Sequence, residues 1–333
     1  MAYIVSPRRQ QDTQHTTKSN VRASFLYSQL ILFNSRKKYG LLYSVATTAG
    51  LFCIPGILNV AGSETEIQLL IQRIIPAPFI TLMIAVGMYI LNDLVDVDID
   101  KTSLKNRPIP SGLVSKKQAW AFILLTNGAA LGILISTLAI DSIIFVIPMI
   151  LIGILYSTPK KMALMNRFVI KNVAIALFYM LCSMLGITWS YGIELALNNP
   201  IVAIHTITMS GIMIFVGSTV NDLGDIKGDK TAGRRTIPIV LGGENTIKML
   251  IILLVSMPTI SWMLYAIFVE HDSISAIMTP IAVTIVGSLA LLRMTRISKV
   301  FEDMKLMREQ HKKWFPLHIV LQSGMIVGSS LPL

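Results

Sequence analysis

Two segments of the chain carry the same acidic pattern. Residues 92–102 read NDLVDVDIDKT and residues 221–231 read NDLGDIKGDKT. At a fixed offset of 129, seven of the eleven positions are identical, including the pairs Asn92/Asn221, Asp93/Asp222, Asp96/Asp225, Asp100/Asp229 and Lys101/Lys230. In each copy the three aspartates stand at i, i+3 and i+7, one face of a helix. Six carboxylates brought together repel one another unless a cation sits among them. All-oxygen ligands favour a hard ion, and Mg²⁺ typically takes only one or two carboxylates, with phosphate and water completing its shell. The expected chemistry is therefore metal-assisted handling of a phosphorylated ligand.

The elements that must position these acids are membrane helices. Of the 333 residues, 53% are hydrophobic and 14% charged, with a mean hydropathy of +0.65. Soluble domains carry roughly 25% charged residues, so a water-soluble globular fold is excluded. Nine stretches lack Asp, Glu, Lys and Arg over about 18 residues or more, enough to cross a bilayer: 39–63, 74–92, 118–140, 142–159, 172–193, 195–221, 249–269, 273–292 and 314–333. The expected fold is all-α, with nine transmembrane helices. The 29 Lys and Arg crowd the N-terminal segment and the connections after spans two, four, six and eight. That asymmetry puts the N-terminus in the cytoplasm and, with nine spans, the C-terminus outside. The net charge of +11 is thus topological, with no nucleic-acid partner implied; membrane lipid is the expected surrounding. Residues 1–22 are expected to be a disordered cytoplasmic tail, and 23–333 a single domain. Residues 23–35 are expected to form an interfacial helix, and 293–313 an amphipathic surface helix.

Each acidic copy sits where an even-numbered span meets the cytoplasm, four helices apart. The two halves of the chain therefore run in the same direction, and a pseudo-two-fold axis along the membrane normal brings the acids face to face. One acid cluster after a span is ordinarily a solvated loop. Two that match residue by residue at the same topological place are not. An Asp in mid-membrane costs about 2.5–3.5 kcal/mol, so the acids must face a polar cavity. The same end of the molecule supplies Lys101, Arg107, Lys160, Lys161, Arg167, Lys171, Arg234 and Arg235 to meet an anion. Carboxylates, a divalent metal and bases describe a diphosphate site. With a membrane cavity for the rest of the ligand, the simplest ligand is a prenyl diphosphate. A divalent-cation or lipid carrier is the non-enzymatic rival; it predicts acids spread through the membrane depth.

The chain resembles the UbiA superfamily of intramembrane prenyltransferases over roughly residues 35–330. The resemblance rests on NDxxDxxxD at residues 92–100, DxxDxxxD at 222–229 and YxxxK at 156–160. It implies a ring of nine helices around a central cavity. It further implies that Asp93, Asp96, Asp100, Asp222, Asp225 and Asp229 hold two Mg²⁺ ions on the diphosphate. Tyr156 and Lys160 then lie near that group, and Asn92, Asn221, Lys101, Lys230 and Arg107 belong to the same binding set. RPIPSG (107–112) and GDKTAGRRTIP (228–238) look like the branch that makes archaeal ether lipids. There a geranylgeranyl group passes to the free hydroxyl of geranylgeranylglyceryl phosphate. Against that branch, NSRKKYG (34–40) stands where many members carry an Arg-Pro-x-Asn string, and Asn221 stands where the branch more often has Lys. An aromatic acceptor of the quinone- or chlorophyll-precursor kind, or a cyclase with no acceptor, stays open. A prokaryotic plasma membrane is the expected location.

Cys53 and Cys182 fall within spans, where packing is their expected role. His205 is either a base or a buried histidine bonded to a neighbouring helix. Tyr89, one turn before Asp93, either shapes the cavity or marks the membrane interface.

Overall fold

A computed structural model describes residues 23–53, 74–102, 107–137, 139–157, 166–198, 200–268 and 274–330. The tail 1–22 and Lys160 lie outside the described residues. The helices are α1 (Phe25–Leu51), α2 (Pro76–Val95), α3 (Val97–Thr102), α4 (Lys116–Ser136), α5 (Ile143–Ser157), α6 (Phe168–Asn198), α7 (Pro200–Thr231), α8 (Ile237–Leu241), α9 (Gly243–Phe268), α10 (Ile274–Val300), α11 (Met304–Lys312) and α12 (Phe315–Ser330). No strand occurs among the described residues. The fold is all-α, as the absence of any alternating apolar pattern requires.

Among the described residues nine helices run to fifteen residues or more. Six of them, α2, α4, α6, α7, α9 and α10, are long and apolar enough to cross a membrane. The molecule is an integral membrane protein. The other three are α5, with 15 residues, α12, with 16, and α1, which carries Arg36, Lys37 and Lys38 along its length. Helix starts follow local chemistry. Pro76 opens α2, where its missing N–H costs nothing. At α4 the Ser115 hydroxyl accepts from the Gln118 N–H, and the Gln118 carboxamide accepts from the Ser115 N–H at 2.9 Å, a reciprocal cap.

Two expectations are corrected at helix ends. Residues 25–35 form no separate interfacial helix; they are the first turns of α1, which runs unbroken to Leu51. Likewise 293–300 is the end of α10, and only 304–312 forms a short helix, α11, packed on α7. In both places charge made the sequence look like a membrane boundary, but a helix continues through charge where its backbone bonds are satisfied internally.

The helices close a ring: α1, α2, α5, α6, α7, α9, α10 and α12 touch in that order, and α12 returns to α1. α4 packs on the outside of α2. Across the middle, α1 and α6 cross backbone to backbone. A Cβ on Gly50 would fall 2.1 Å from the Ser183 carbonyl oxygen, and one on Gly186 would fall 2.0 Å from that of Thr47. The contact is reciprocal, as a parallel repeat about one axis demands: Thr47 and Gly50 stand to α6 as Ser183 and Gly186 stand to α1.

Candidate active site

At one end of the ring the two acidic segments line a single cavity of about 310 Å³. The three aspartates of the first segment go to different partners. α2 ends at Val95, and Asp96 adopts φ −84°, ψ 7° before α3 begins, although the Asp96 and Asp100 N–H groups still donate to the Asn92 and Asp96 carbonyls. Arg107 lies between Asp93, at 2.8 Å, and Asp100, with which it pairs closely. Asp96 turns instead to the other half of the molecule, where both its oxygens accept from Arg234 Nη2 at 2.8 Å. In the second segment α7 stays helical through Thr231.

The bases that hold these acids come from four elements. Arg36, on α1, forms a two-pronged pair with Asp93, its Nε 2.7 Å from Oδ2 and Nη2 close on Oδ1. Lys171, on α6, pairs closely with Asp222, and Asn172 beside it donates to the other oxygen of Asp222 at 3.2 Å. Arg107 is delivered by the RPIPSG turn, in which the Ser111 N–H donates to the Arg107 carbonyl at 3.1 Å. Arg234 is delivered by the turn that ends α7. Gly233 takes φ +68°, a left-handed conformation that suits glycine, and the Arg234 N–H bonds the Asp229 carbonyl at 2.9 Å. The guanidinium thus lies 3.5 Å from Asp229 as well as on Asp96. Burial pulls the Arg234 pKa down, but Asp96 and Asp229 outweigh it and hold it above the ordinary value. Burial also pulls His311 below the usual imidazole range, against the opposing pull of Asp225 and Asp222.

Asn92, Asp96, Arg107, Tyr156, Asn221, Asp222, Asp225 and Asp229 all line the cavity. Asp93 and Asp100 are buried behind it on Arg36 and Arg107. Lys230 stands exposed on the last turn of α7, outside that lining, because the residue after Asp229 is rotated about 100° around the helix. Lys101 is the penultimate residue of α3. Four functional candidates were not singled out by the sequence: Arg36, Asn172, Trp314 and His318. Arg36 is hidden in a run of bases that topology explains, and the other three sit within apolar stretches.

Arg36, Arg107, Lys171 and Arg234 pair with carboxylates of the two sets, and Lys38 and Lys312 also line the cavity. Asp229 Oδ2 is buried with no hydrogen-bond partner. An all-oxygen set with an unfilled acceptor fits a hard divalent cation. Among the described residues no three acids converge into a ready-made cage, which suits an ion that keeps water and phosphate in its shell. Deeper in, the lining turns aromatic. Tyr39 and Tyr89 stack at 4.7 Å between centroids, and Tyr43 meets Phe178 and Tyr179 edge-on. Aromatic faces attract cations, so Tyr89 shapes the cavity. His205, by contrast, is a buried histidine bonded to Ser261 on α9 at 2.7 Å, and both cysteines are buried.

The sequence profile of the UbiA prenyltransferase family matches residues 44–307. The chain is 30% identical over 179 residues to digeranylgeranylglyceryl phosphate synthase of Sulfurisphaera tokodaii, covering 52% of this chain and 59% of that one. It is 33% identical over 165 residues to the chloroplastic chlorophyll synthase of Avena sativa, covering 46% and 41%. The matches thus span less than two thirds of either relative. In fold, the chain is similar to a UbiA homologue from Archaeoglobus fulgidus solved with GPP and Mg²⁺, with a TM-score of 0.61 and 15% identity, covering 89% of this chain and 99% of that one.

Proposed function

The chain belongs to the UbiA prenyltransferase family, and from that premise we propose that it moves a geranylgeranyl group from its diphosphate to the free hydroxyl of geranylgeranylglyceryl phosphate. The observation that carries this reading is the joining of two acid sets across one cavity by Arg234, above an aromatic wall. The two acid sets would hold Mg²⁺, two ions in this reading, which would supply Lewis-acid neutralisation of the departing diphosphate; the fold relative solved with GPP and Mg²⁺ supports a role for that metal. Asp96, Asp222, Asp225 and Asp229 are the metal-facing groups, with Asp93 and Asp100 setting the arginines. Arg36, Arg107, Lys171 and Arg234, held in place by their carboxylates, meet the phosphate oxygens as the C1–O bond of the donor breaks and its electron pair leaves on pyrophosphate. Tyr39, Tyr43 and Tyr89 offer π faces to the allylic cation and keep water from it. The acceptor hydroxyl oxygen then forms the new C–O bond and gives its proton to the departing pyrophosphate.

The basic end is assigned to the cytoplasm, in a prokaryotic plasma membrane, with residues 23–333 as one nine-helix domain. The likeness to chlorophyll synthase favours an aromatic acceptor as the second reading. The test is purified protein in detergent with geranylgeranyl diphosphate and Mg²⁺, with and without geranylgeranylglyceryl phosphate. An ether-linked product that needs the acceptor is expected. Asp96→Asn and Asp222→Asn should each lower its formation about a hundredfold or more, the scale of losing one preorganised electrostatic group. Full activity in either variant overturns the site. A terpene formed without acceptor overturns the transferase reading in favour of a cyclase.

A further inference from the structure

The wall of the cavity contributed by α11 and α12 is unlike the acidic walls of α2 and α7. Its lining residues are His311, Lys312, Trp314, Phe315 and His318, with no carboxylate among them. His311 and Lys312 end α11, Trp314 lies in the turn between the helices, and Phe315 and His318 open α12, so the wall is built at the junction of the two. At the mouth, Lys38 of α1 leans over the same wall, its Nζ 4.4 Å from the Phe315 ring centroid.

Two polar atoms on this wall have no partner. Trp314 is 1% exposed and His318 3%, yet Trp314 Nε1 and His318 Nδ1 make no hydrogen bond. A buried polar group left unpaired costs about 1–3 kcal/mol, so a native cavity lined by two residues that each keep one is shaped for something that pairs them. Room for both side chains is left by Gly217 on α7: a Cβ there would lie 2.7 Å from His318 Nε2 and 3.0 Å from Trp314 Nε1. The indole N–H only donates, while an imidazole nitrogen donates or accepts according to tautomer. A hydroxyl, which does both, satisfies the pair. The bases at the mouth call for an anion on the same molecule.

We propose that Trp314 and His318 are the acceptor-binding residues, holding the acceptor's hydroxyl while Lys38 and Lys312 hold a phosphate headgroup at the mouth. The assignment rests on the function proposed above and deepens it: the acids of α2 and α7 take the donor, and the α11–α12 wall takes a hydroxyl-bearing phosphate ester. A cyclase has no occupant for this wall.

The test uses the full-length protein with geranylgeranyl diphosphate, Mg²⁺ and geranylgeranylglyceryl phosphate as acceptor. For Trp314→Phe and His318→Leu the acceptor KM should rise about tenfold, the scale of one lost hydrogen bond, while the donor KM does not follow. His318→Asn, which retains a polar atom near Nδ1, should recover most of the loss. In a second readout, the acceptor alone, without donor or Mg²⁺, should raise the unfolding temperature of the wild type more than that of His318→Leu. Unchanged acceptor KM and equal thermal stabilisation in both variants overturn the site and leave the transferase reading standing. A wild type that consumes the donor but makes no ether product with this acceptor overturns both.

Discussion

Lys171 and Asp222 bring opposite charges into a buried position, with the carboxylate 1% exposed and further held by Asn172. Removing one partner of such a pair leaves an uncompensated charge out of water and costs about 3–5 kcal/mol, whereas replacing both is often close to neutral. Lys171→Met should therefore be strongly destabilised, and Lys171→Met combined with Asp222→Asn should regain most of the lost stability. Activity should follow a different course: the double variant folds but does not turn over prenyl diphosphate, because the proposed function gives Asp222 to the metal. Thermal unfolding and diphosphate release, measured on the same preparations, separate the two effects. A double variant as unstable as the single one would show that the pair is not the source of the loss. At this scale the sequence was partly legible. The aspartates announced themselves by repetition, and Lys171 was readable as a base at the acidic end. Arg36 was not, because Lys37 and Lys38 beside it obey the same topological rule, and only the fold selects which of the three reaches Asp93.

The existence of the membrane helices was legible in charge-free windows, while their ends and their close approach were not. The crossing of α1 over α6 depends on Gly50 and Gly186, each facing a backbone carbonyl that cannot rotate away. Small residues at such points let membrane helices pack backbone to backbone. Gly50→Ala or Gly186→Ala should push the two central helices apart, costing about 1–3 kcal/mol or more and lowering donor binding with it, since α1 carries Arg36 and α6 carries Lys171. Gly128 on α4 is the control: it is exposed, and nothing lies within 4 Å of an added Cβ. Gly128→Ala should be neutral or stabilising by about 0.5–1 kcal/mol, the ordinary gain of Ala over Gly within a helix. Equal unfolding temperatures for all three variants would refute the crossing. The partners of the first acid set were equally hidden. Spacing of i, i+3 and i+7 says nothing of which base each acid meets, and only the fold gives Asp93 and Asp100 to Arg107 and Asp96 to Arg234.

At the scale of the whole molecule, the repeat supplies the frame and the departures from it supply the chemistry. α1 and α2 correspond to α6 and α7, and the two acid sets meet because the halves run parallel. α11 and α12 have no counterpart in the first half, and they carry the wall with no carboxylate. A ring built this way gathers its charge at one end, the end that the proposed function places in the cytoplasm on the basis of its basic excess. The assignment is open to direct measurement because Cys53 and Cys182 are both buried and leave little background for thiol labelling. Ser111, exposed in the turn that delivers Arg107, lies at the acidic end, and Asn198, exposed at the far end of α6, lies at the other. A membrane-impermeant maleimide should label Ser111→Cys in inside-out vesicles but not in intact cells, and Asn198→Cys in the reverse pattern. Diphosphate donors made in the cytoplasm would then reach the acids directly, while the acceptor's apolar chains stay in the bilayer. Labelling of Ser111→Cys from outside intact cells would invert the molecule and separate the site from its donor.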